Sequence, residues 1–224
     1  MPKKFALIVA GGSGSRMNNQ VPKQFLELVG KPVLMHTFES FYTFDPNISF
    51  VLVLPQSEFS RWKELCEKHR FTIPYQLAAG GSNRFESVKN GLLIIREEGV
   101  VFIHDGVRPL VSGQTIQNCF NTAQEKGNAL PVVPVSESVR YVDGSHNSSL
   151  DRSKYYLVQT PQTFRVSLIK KAYEQAYSEL FTDDASVLEN TGQAINTVEG
   201  NRTNIKITYP EDIRIASFLL STKD

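Results

Sequence analysis

Hydrophobic runs and amphipathic stretches alternate along the first part of the chain. Short runs rich in branched residues predict strands, at 5–9, 50–54, 75–79, 100–104 and 129–133. Apolar residues at helical spacing predict the helices between them, at 32–44, 60–69, 83–98 and 112–127. Strands that are apolar almost throughout and separated by helices indicate a mostly parallel sheet with helices on both faces. We therefore expect an α/β fold of the Rossmann-like type.

Residues 136–156 break this pattern, because they are polar apart from Val139 and Tyr141 on one face. Asp143–Gly144 is a turn signal, so the segment predicts a protruding β-hairpin. Such a hairpin buries little of itself. It is either a flexible surface segment or an arm that packs on a partner subunit. Its flanking residues favour a dimerisation arm.

The remaining residues predict a helix at 165–180, a capped short helix within 182–192, strands at 195–200 and 204–208, and a closing helix at 210–220. Pro210, Glu211 and Asp212 make a good helix start. The sequence has no internal repeats and no low-complexity tracts. We therefore expect residues 1–224 to form a single domain with the arm inserted in it.

Composition and charge narrow the classes of partner. With 224 residues and a net charge of +1, the chain suits one large domain and offers no electrostatic argument for binding nucleic acid. No apolar stretch approaches the roughly 20 residues of a membrane span, so we expect no membrane partner. Cys66 and Cys119 form no CxxC pair. They are typical of buried thiols in a reducing cytoplasm, where we expect the protein to act.

A glycine-rich loop follows the first strand, reading AGGSGSRM at 10–17. A dinucleotide-binding fingerprint needs a third glycine where Met17 stands, and a P-loop needs Gly-Lys-Ser/Thr at its end. Neither fits. Pro22 keeps the loop open, so its backbone N–H groups can form an anion-binding concavity with Arg16 and Lys23 as fixed cations. The alternative is a glycine-rich turn with solvated basic side chains.

Further motifs follow in order: PKQF at 22–25, GGSNRFESV at 80–88, HDGVRP at 104–109, LDRSKYYLVQTPQTF at 150–164, TDDAS at 182–186 and NIKITYPED at 204–212. Together with the glycine loop they resemble the 2-C-methyl-D-erythritol 4-phosphate cytidylyltransferases of the non-mevalonate isoprenoid pathway. The resemblance runs over essentially the whole chain. It implies a nucleotidyltransferase fold similar to that of GT-A glycosyltransferases, with CTP and a polyol phosphate as substrates.

The implied reaction is attack by an ionised sugar-phosphate oxygen on the α-phosphorus of CTP, with pyrophosphate as leaving group. Such chemistry depends on positioning and charge neutralisation, and it needs no histidine base. The resemblance makes Arg16 and Lys23 the catalytic cations. Asp105, at the end of a predicted central strand, would hold Mg²⁺ or another divalent cation. Its alternative roles are a helix N-cap or a partner for Arg108.

The resemblance also implies a set of nucleotide-binding residues, most of them small enough to let the base lie against the backbone: Ala10, Gly11, Gly12, Gly14, Gly80, Gly81, Ser82, Ser87 and Gly106. Many relatives carry an acid at the position of Ser82. This difference weakens the expectation that the side chain at 82 contacts the cytosine amino group. Arg84 receives no role and could be a surface residue at a helix start. Asp183 is favoured as a helix cap.

For the polyol phosphate, the resemblance points to Arg108, Ser138, Arg140, Arg152, Thr160 and Lys206. Arg152 would reach the substrate phosphate of a neighbouring subunit, through the fork of donors that suits a phosphate. An arm that delivers a ligand to another chain requires a symmetric homodimer. Relatives often carry Thr where Ser138 stands, and the hydroxyl is kept.

Three other functions compete with this hypothesis. Ribitol-5-phosphate cytidylyltransferases share the glycine loop, but they usually lack the Asp-Arg pair of LDRS. A non-catalytic nucleotide-binding module could use the same fold, but loss of Arg16, Lys23 or Asp105 would be expected, and all three are present. A glycosyltransferase would be expected to show an Asp-x-Asp triplet, which the sequence lacks.

Overall fold

The computed structural model describes residues 2–11 and 21–222. Its helices are α1 (Val33–Phe44), α2 (Phe59–Lys68), α3 (Arg84–Ile94), α4 (Gly113–Lys126), α5 (Val166–Ala172), α6 (Asp184–Glu189) and α7 (Pro210–Ser221). Its strands are β1 (Lys4–Val9), β2 (Glu27–Leu28), β3 (Lys31–Pro32), β4 (Ser49–Leu54), β5 (Tyr75–Ala79), β6 (Val100–Asp105), β7 (Asn128–Pro134), β8 (Val139–Asp143), β9 (His146–Leu150), β10 (Tyr156–Val158), β11 (Gln162–Arg165) and β12 (Thr197–Glu199).

The main sheet is mostly parallel, as the strand pattern predicts. Its order is β10-β7-β11-β6-β1-β4-β5, and β12 pairs with β7. Strand β11 runs antiparallel to both β6 and β7, and β10 runs antiparallel to β7. The α/β fold class is therefore confirmed.

Helices cover both faces of the sheet because alternate strand residues point to opposite sides. Ala6 and Ile8 of β1 belong to one apolar cluster, which includes Phe38 of α1. Leu7 belongs to the other, with Val88 of α3. A strand that is buried on both faces is apolar at nearly every position, as residues 5–9 of β1 are.

The carboxyl ends of the parallel strands meet at one edge of the sheet. Val9, the last residue of β1, is in register with Val53 of β4 on one side and with Asp105 of β6 on the other. The loops that follow these strands therefore emerge side by side, and this edge is where open α/β sheets bind ligands.

The predicted hairpin is present as β8 and β9, which pair with each other outside the main sheet. Gly144 occupies the turn with φ of 56°, a backbone conformation that favours glycine. No residue from 136 to 158 is buried. The arm therefore contributes nothing to the core of its own chain.

Several predicted boundaries differ from the structure. The helix expected over 165–180 ends at Ala172, where its last turn tightens. The Tyr173 N–H is shared between the carbonyls of Ile169 and Lys170, and the Glu174 N–H bonds to Lys171, only three residues back. Residues 204–208 are not a strand. Ile207 makes one backbone bond, to Val107, and uses its apolar side chain to join α7 to the core. The antiparallel strand β11 was not predicted, because its length of four residues is too short for a clear pattern.

Within the described ranges, no helix has the length and apolar character needed to cross a membrane.

Candidate active site

A cavity of about 390 Å³ opens at the carboxyl edge of the sheet. Its walls come from the ends of β1 and β6, the start of α3 and two segments from elsewhere in the chain. The lining residues are Val9, Ala10, Gly11, Lys23, Gln24, Gly81, Ser82, Asn83, Arg84, Ser87, Asp105, Val107 and Lys206.

Asp105 is the acidic centre of this cavity and is only 8% exposed. Lys206 Nζ lies 3.1 Å from Asp105 Oδ2, and Arg108 Nε donates to the same oxygen at 3.2 Å. Burial alone would raise the pKa of the Asp105 carboxyl. The nearby cations, first Lys206 and then Arg84 and Arg108, hold that pKa well below its ordinary value instead. The carboxylate is therefore ionised throughout the physiological pH range.

A buried histidine lies beneath Asp105. His104 Nε2 is 3.0 Å from the Arg108 carbonyl, which can only accept, so this nitrogen carries the proton. His104 Nδ1 then accepts from the Thr160 hydroxyl at 3.0 Å. The Thr160 oxygen in turn accepts from the Asp105 backbone N–H at 3.1 Å. Burial lowers the pKa of His104 to about 4, so the ring is neutral and locked in one tautomer.

Two glycines let backbone segments approach closely around the cavity. A Cβ at Gly81 would stand 2.3 Å from the Cβ of Glu86, which no real side chain tolerates. A Cβ at Gly106 would meet Ala10 Cβ at 2.9 Å. The glycines therefore hold the loop after β5 against α3, and the loop after β6 against the end of β1.

The first turn of α3 is closed by side chains as well as by backbone. Asn83 is the N-cap, and its side chain accepts from Glu86 N at 2.9 Å. Ser87 Oγ donates to the Asn83 carbonyl at 2.8 Å and accepts from Gly81 N at 3.0 Å. Ser87 is thus committed to holding the wall of the cavity.

Lys23 reaches the cavity from a short 3-10 turn at Lys23–Phe25. The turn is fixed by the next residue, because buried Gln24 donates from Nε2 to the Ala10 carbonyl at 2.9 Å. The predicted residues Arg16, Gly12 and Gly14 lie outside the described residues.

The fold gathers many of the predicted site residues at this cavity: Ala10, Gly11, Lys23, Gly81, Ser82, Ser87, Asp105 and Lys206 line it. Gly80 and Gly106 flank it on the loops after β5 and β6. Arg108 is joined to Asp105, and Thr160 lies beneath it. The Thr160 hydroxyl already bonds to His104 and to the Asp105 backbone. Its contact with substrate stays a prediction.

Three predicted residues stay away from the cavity of their own chain. Ser138, Arg140 and Arg152 lie on or beside the hairpin arm and are exposed. Arg140 donates to Asn147 across the hairpin, and Arg152 donates to the carbonyl of Ser136. Within one chain, the arm and the cavity are separate features.

Sequence reasoning did not assign Gln24, Asn83 or Arg84 to the site. Asn83 carried a usable signal, because Asn before a helix with an acid three residues later is an N-cap pattern. Arg84 carried none, since its partner Asp184 is distant in the sequence. Asp183 caps α6 as predicted, with its side chain accepting from Ser186 N.

The residues present fit a divalent cation that is shared with a phosphate ligand. Mg²⁺ in phosphate-binding sites is held by one or two carboxylates plus phosphate oxygens. Asp105 supplies one ionised carboxylate at the cavity wall. The described part of the chain contains no group of three or more His, Cys, Asp or Glu that would form a cage by itself. The site therefore suits a cation that arrives with its phosphates.

The family profile for 2-C-methyl-D-erythritol 4-phosphate cytidylyltransferase matches residues 5–222. The chain belongs to this family. An enzyme of that name from Phocaeicola vulgatus is 49% identical over 97% of this chain and 99% of its own length. Another from Bacteroides fragilis is 52% identical over 96% of this chain and 98% of its own.

Solved structures of the family have the same fold. The 4-diphosphocytidyl-2C-methyl-D-erythritol synthase of Anaerococcus prevotii has a TM-score of 0.82 at 25% identity, over 98% of this chain and 96% of that one. The 2-C-methyl-D-erythritol 4-phosphate cytidylyltransferase of Thermus thermophilus has a TM-score of 0.80 at 27% identity, over 98% and 99%. The resemblance inferred from the motifs is confirmed.

Proposed function

We propose that the cavity at Asp105 is the active site in which this chain carries out the reaction of its family. The protein is a cytidylyltransferase that transfers CMP from CTP to 2-C-methyl-D-erythritol 4-phosphate and releases pyrophosphate. The observation that carries the location is the meeting of Lys23, Asp105 and Lys206 around one cavity, although they come from three distant parts of the chain. The family match selects this polyol phosphate over ribitol 5-phosphate.

This reaction requires neutralisation of the phosphate charges and alignment of the two substrates, and it requires no general base. The attacking phosphate oxygen of the substrate is already ionised at neutral pH. Two anions must be brought together, and in the transition state negative charge lies on the oxygens around the α-phosphorus and on the departing pyrophosphate. Fixed cations in a partly dry cavity lower that barrier, because opposite charges interact more strongly there than in water.

Lys23 and Arg16 are the cations we assign to the triphosphate of CTP. Lys23 is held at the cavity wall by the 3-10 turn that Gln24 ties to Ala10. Arg16 belongs to the same glycine-rich segment of the sequence. Both would steady the developing charge at the α-phosphorus and the departing pyrophosphate.

Asp105 is the residue that would hold Mg²⁺ beside the phosphates of CTP. A bound divalent cation would supply charge neutralisation between the phosphates. The cytosine and ribose would lie against the small residues of the two loop walls. That nucleotide-binding set is Ala10, Gly11, Gly12, Gly14, Gly80, Gly81, Ser82, Ser87 and Gly106.

Lys206 and Arg108 are assigned to the phosphate of the second substrate, on the Asp105 side of the cavity. Their contacts with Asp105 keep both cations aimed at one place. Thr160 supports this wall from below through His104. The polyol hydroxyls and the far side of the phosphate would be met by Ser138, Arg140 and Arg152 of a second copy of the chain.

A symmetric homodimer through the arm follows from this assignment. Large apolar side chains are exposed on the arm and directly after it: Val142 is 66% exposed and Leu157 is 58% exposed. Exposed apolar residues that cluster along one segment mark an interaction surface. The single domain spans residues 1–224, with 136–156 as its dimerisation arm. Free thiols at Cys66 and Cys119 agree with a cytoplasmic location.

The test is release of pyrophosphate from CTP and Mg²⁺ with either polyol phosphate, measured on the same preparation. We expect turnover with 2-C-methyl-D-erythritol 4-phosphate and little or none with ribitol 5-phosphate. Replacing Arg16 and Lys23 together by alanine should lower kcat by about 10³-fold or more. Faster turnover with ribitol 5-phosphate, or an undiminished rate in the double variant, would contradict the proposal.

A further inference from the structure

Arg84 joins two helices at the edge of the cavity. It is the first residue of α3, and it also lines the cavity, with one third of its side chain exposed. Its Nη1 and Nη2 donate to the two oxygens of Asp184 at 2.8 and 2.6 Å. Asp184 is the first residue of α6, so this fork of two bonds connects segments that are far apart in the sequence.

Asp184 is fully buried and is bound from two sides. Besides the guanidinium of Arg84, the hydroxyl of Tyr173 donates to Asp184 Oδ1 at 2.6 Å. A buried carboxylate is tolerated when a cation and further donors satisfy its oxygens, and it is strongly destabilising when one partner is removed. The three residues therefore form one unit, which we call the Arg84 clamp.

The Asp184 side of the clamp is rigidly mounted on the sheet. Gln162 of β11 donates from Nε2 to Asp183 Oδ2 and accepts from Ala185 N, both at 2.8 Å. Asp183 also forms a capping box with Ser186. The start of α6 is thus held by a strand that pairs with β6, the strand that ends in Asp105.

The Arg84 side of the clamp carries a wall of the cavity. Gly81, Ser82 and Asn83 precede Arg84 directly, and all four residues line the cavity. Gly81 is tied to α3 through Ser87, so this wall moves with the first turn of the helix. The guanidinium also lies near enough to Asp105 to favour its ionised form. Both the position of the wall and a fixed positive charge therefore depend on the clamp.

We propose that Arg84, held by Asp184 and Tyr173, is a positioning residue for CTP: the clamp sets where the 81–83 wall stands relative to Asp105. This inference rests on the proposed function of the cavity. It predicts a specific kinetic signature, because the wall faces the nucleotide while Lys206 and the arm face the second substrate. Loosening the clamp should weaken the use of CTP and leave the use of the polyol phosphate unchanged.

The experiment compares steady-state kinetics of Asp184→Asn, Arg84→Gln, Arg84→Lys and Tyr173→Phe. For Asp184→Asn and Arg84→Gln we expect KM for CTP to rise by about 10-fold or more, since a small displacement of the groups that position a substrate strongly weakens its productive binding. KM for 2-C-methyl-D-erythritol 4-phosphate should stay within about 2-fold of wild type. Arg84→Lys keeps the charge without the fork and should give an intermediate KM. Tyr173→Phe removes one bond and should have the smallest effect, so it also serves if the stronger variants do not fold.

Asp45→Asn is the matched control. Lys4 and Asp45 form another shielded ion pair at 2.7 Å, but Lys4 begins β1 and so lies at the opposite edge of the sheet. This substitution should lower the melting temperature without changing either KM. Its comparison with Asp184→Asn separates a general loss of stability from a loss of positioning.

Calorimetric titration of each variant with CTP and Mg²⁺ keeps the inference separate from the proposed function. If wild type binds CTP but transfers nothing to the polyol phosphate, the proposed function fails, and the series of Kd values still measures the clamp. If Asp184→Asn and Arg84→Gln fold and keep the wild-type KM and Kd for CTP, the clamp is only structural and the inference is wrong. Equal rises of both KM values would refute it as well.

Discussion

Lys206 Nζ lies 3.1 Å from Asp105 Oδ2, although the two residues belong to distant parts of the chain. Lys206 comes from a segment without regular structure, which is joined to the site through Ile207 and its backbone bond to Val107. Asp105 ends a central strand. The contact therefore places a cation and an anion together at the edge where the parallel strands end, and its removal should affect one substrate more than the other.

Lys206→Met should lower kcat/KM for the polyol phosphate by about 10²-fold, because it removes the charge that we propose neutralises the phosphate of this substrate. KM for CTP should change much less. Steady-state kinetics with each substrate varied in turn measures both effects. Lys31→Met is the control, since Lys31 pairs with Glu39 at 2.6 Å and does not line the cavity. Equal losses for both substrates would remove the assignment of Lys206 to the polyol phosphate.

Asp105→Asn should reduce kcat by about 10³-fold and should weaken the dependence of the rate on Mg²⁺ concentration. The amide keeps the size of the side chain but loses the charge that we propose holds a divalent cation. Titration of the rate with Mg²⁺ and with Mn²⁺ measures this. An Asn variant with a wild-type rate and a wild-type metal requirement would exclude Asp105 as the metal ligand.

Thr160→Val should destabilise the fold by about 1–3 kcal/mol, because His104 Nδ1 and the Asp105 N–H would lose their partner in a buried place. Thr160→Ser keeps the hydroxyl and should recover most of that free energy of unfolding. Urea unfolding of both variants gives the values. Kinetics on the same samples tests the predicted substrate contact, which requires that KM for the polyol phosphate rise in the Val variant.

The free energy of unfolding should fall as the pH is lowered from about 6.5 to 4. His104 has a pKa near 4 in the folded protein and an ordinary value of 6.5. Between these values the unfolded chain binds a proton that the folded chain does not, so stability is lost toward acid pH, by about 1.4 kcal/mol per pH unit. Above pH 6.5 this contribution to stability is complete.

His104→Gln isolates that effect, because it removes the titrating ring and leaves the other histidines in place. Urea unfolding between pH 4.5 and 7 should give a shallower pH slope for the variant than for wild type. Its absolute stability is expected to be lower, but the difference in slope is the informative quantity. Parallel slopes would mean that His104 is not buried in its neutral form.

Leu157→Asp should prevent dimerisation and abolish activity, since a charge would be placed on the exposed apolar segment beside the arm. Sedimentation gives the oligomeric state. A further readout is complementation between two other variants that keep the apolar segment: Arg152→Ala has an intact cavity, and Lys23→Ala has an intact arm. In a mixed dimer, one active site combines the unsubstituted cavity of one chain with the unsubstituted arm of the other, and this site should recover activity.

Leu180→Asp is the control for this prediction, because Leu180 is 81% exposed but lies outside the arm. It should leave both the oligomeric state in sedimentation and the rate of cytidylyl transfer unchanged. A wild-type protein that is monomeric and fully active would contradict the assignment of Ser138, Arg140 and Arg152 to a neighbouring chain's site.

Much of the fold could be predicted because its signals are local. The runs at 50–54 and 100–104 are buried on both faces, and burial of that kind favours apolar residues at nearly every position. The hairpin could be predicted as well, since Asp143–Gly144 is a turn signal independent of its surroundings. The predicted element boundaries were wrong where tertiary contacts determine the backbone conformation. At 204–208 the alternating apolar residues pack under α7, and the segment pairs with no strand.

The sequence by itself determined the family, the reaction class and most of the side chains that line the cavity, because these are carried by short motifs whose order is readable along the chain. Only the tertiary structure decided what Arg84 and Thr160 do. Their partners, Asp184 and His104, lie far away in the sequence. A buried ion pair or hydrogen bond forms when two distant segments are packed together and water is removed, and no local pattern records which distant residue will be there.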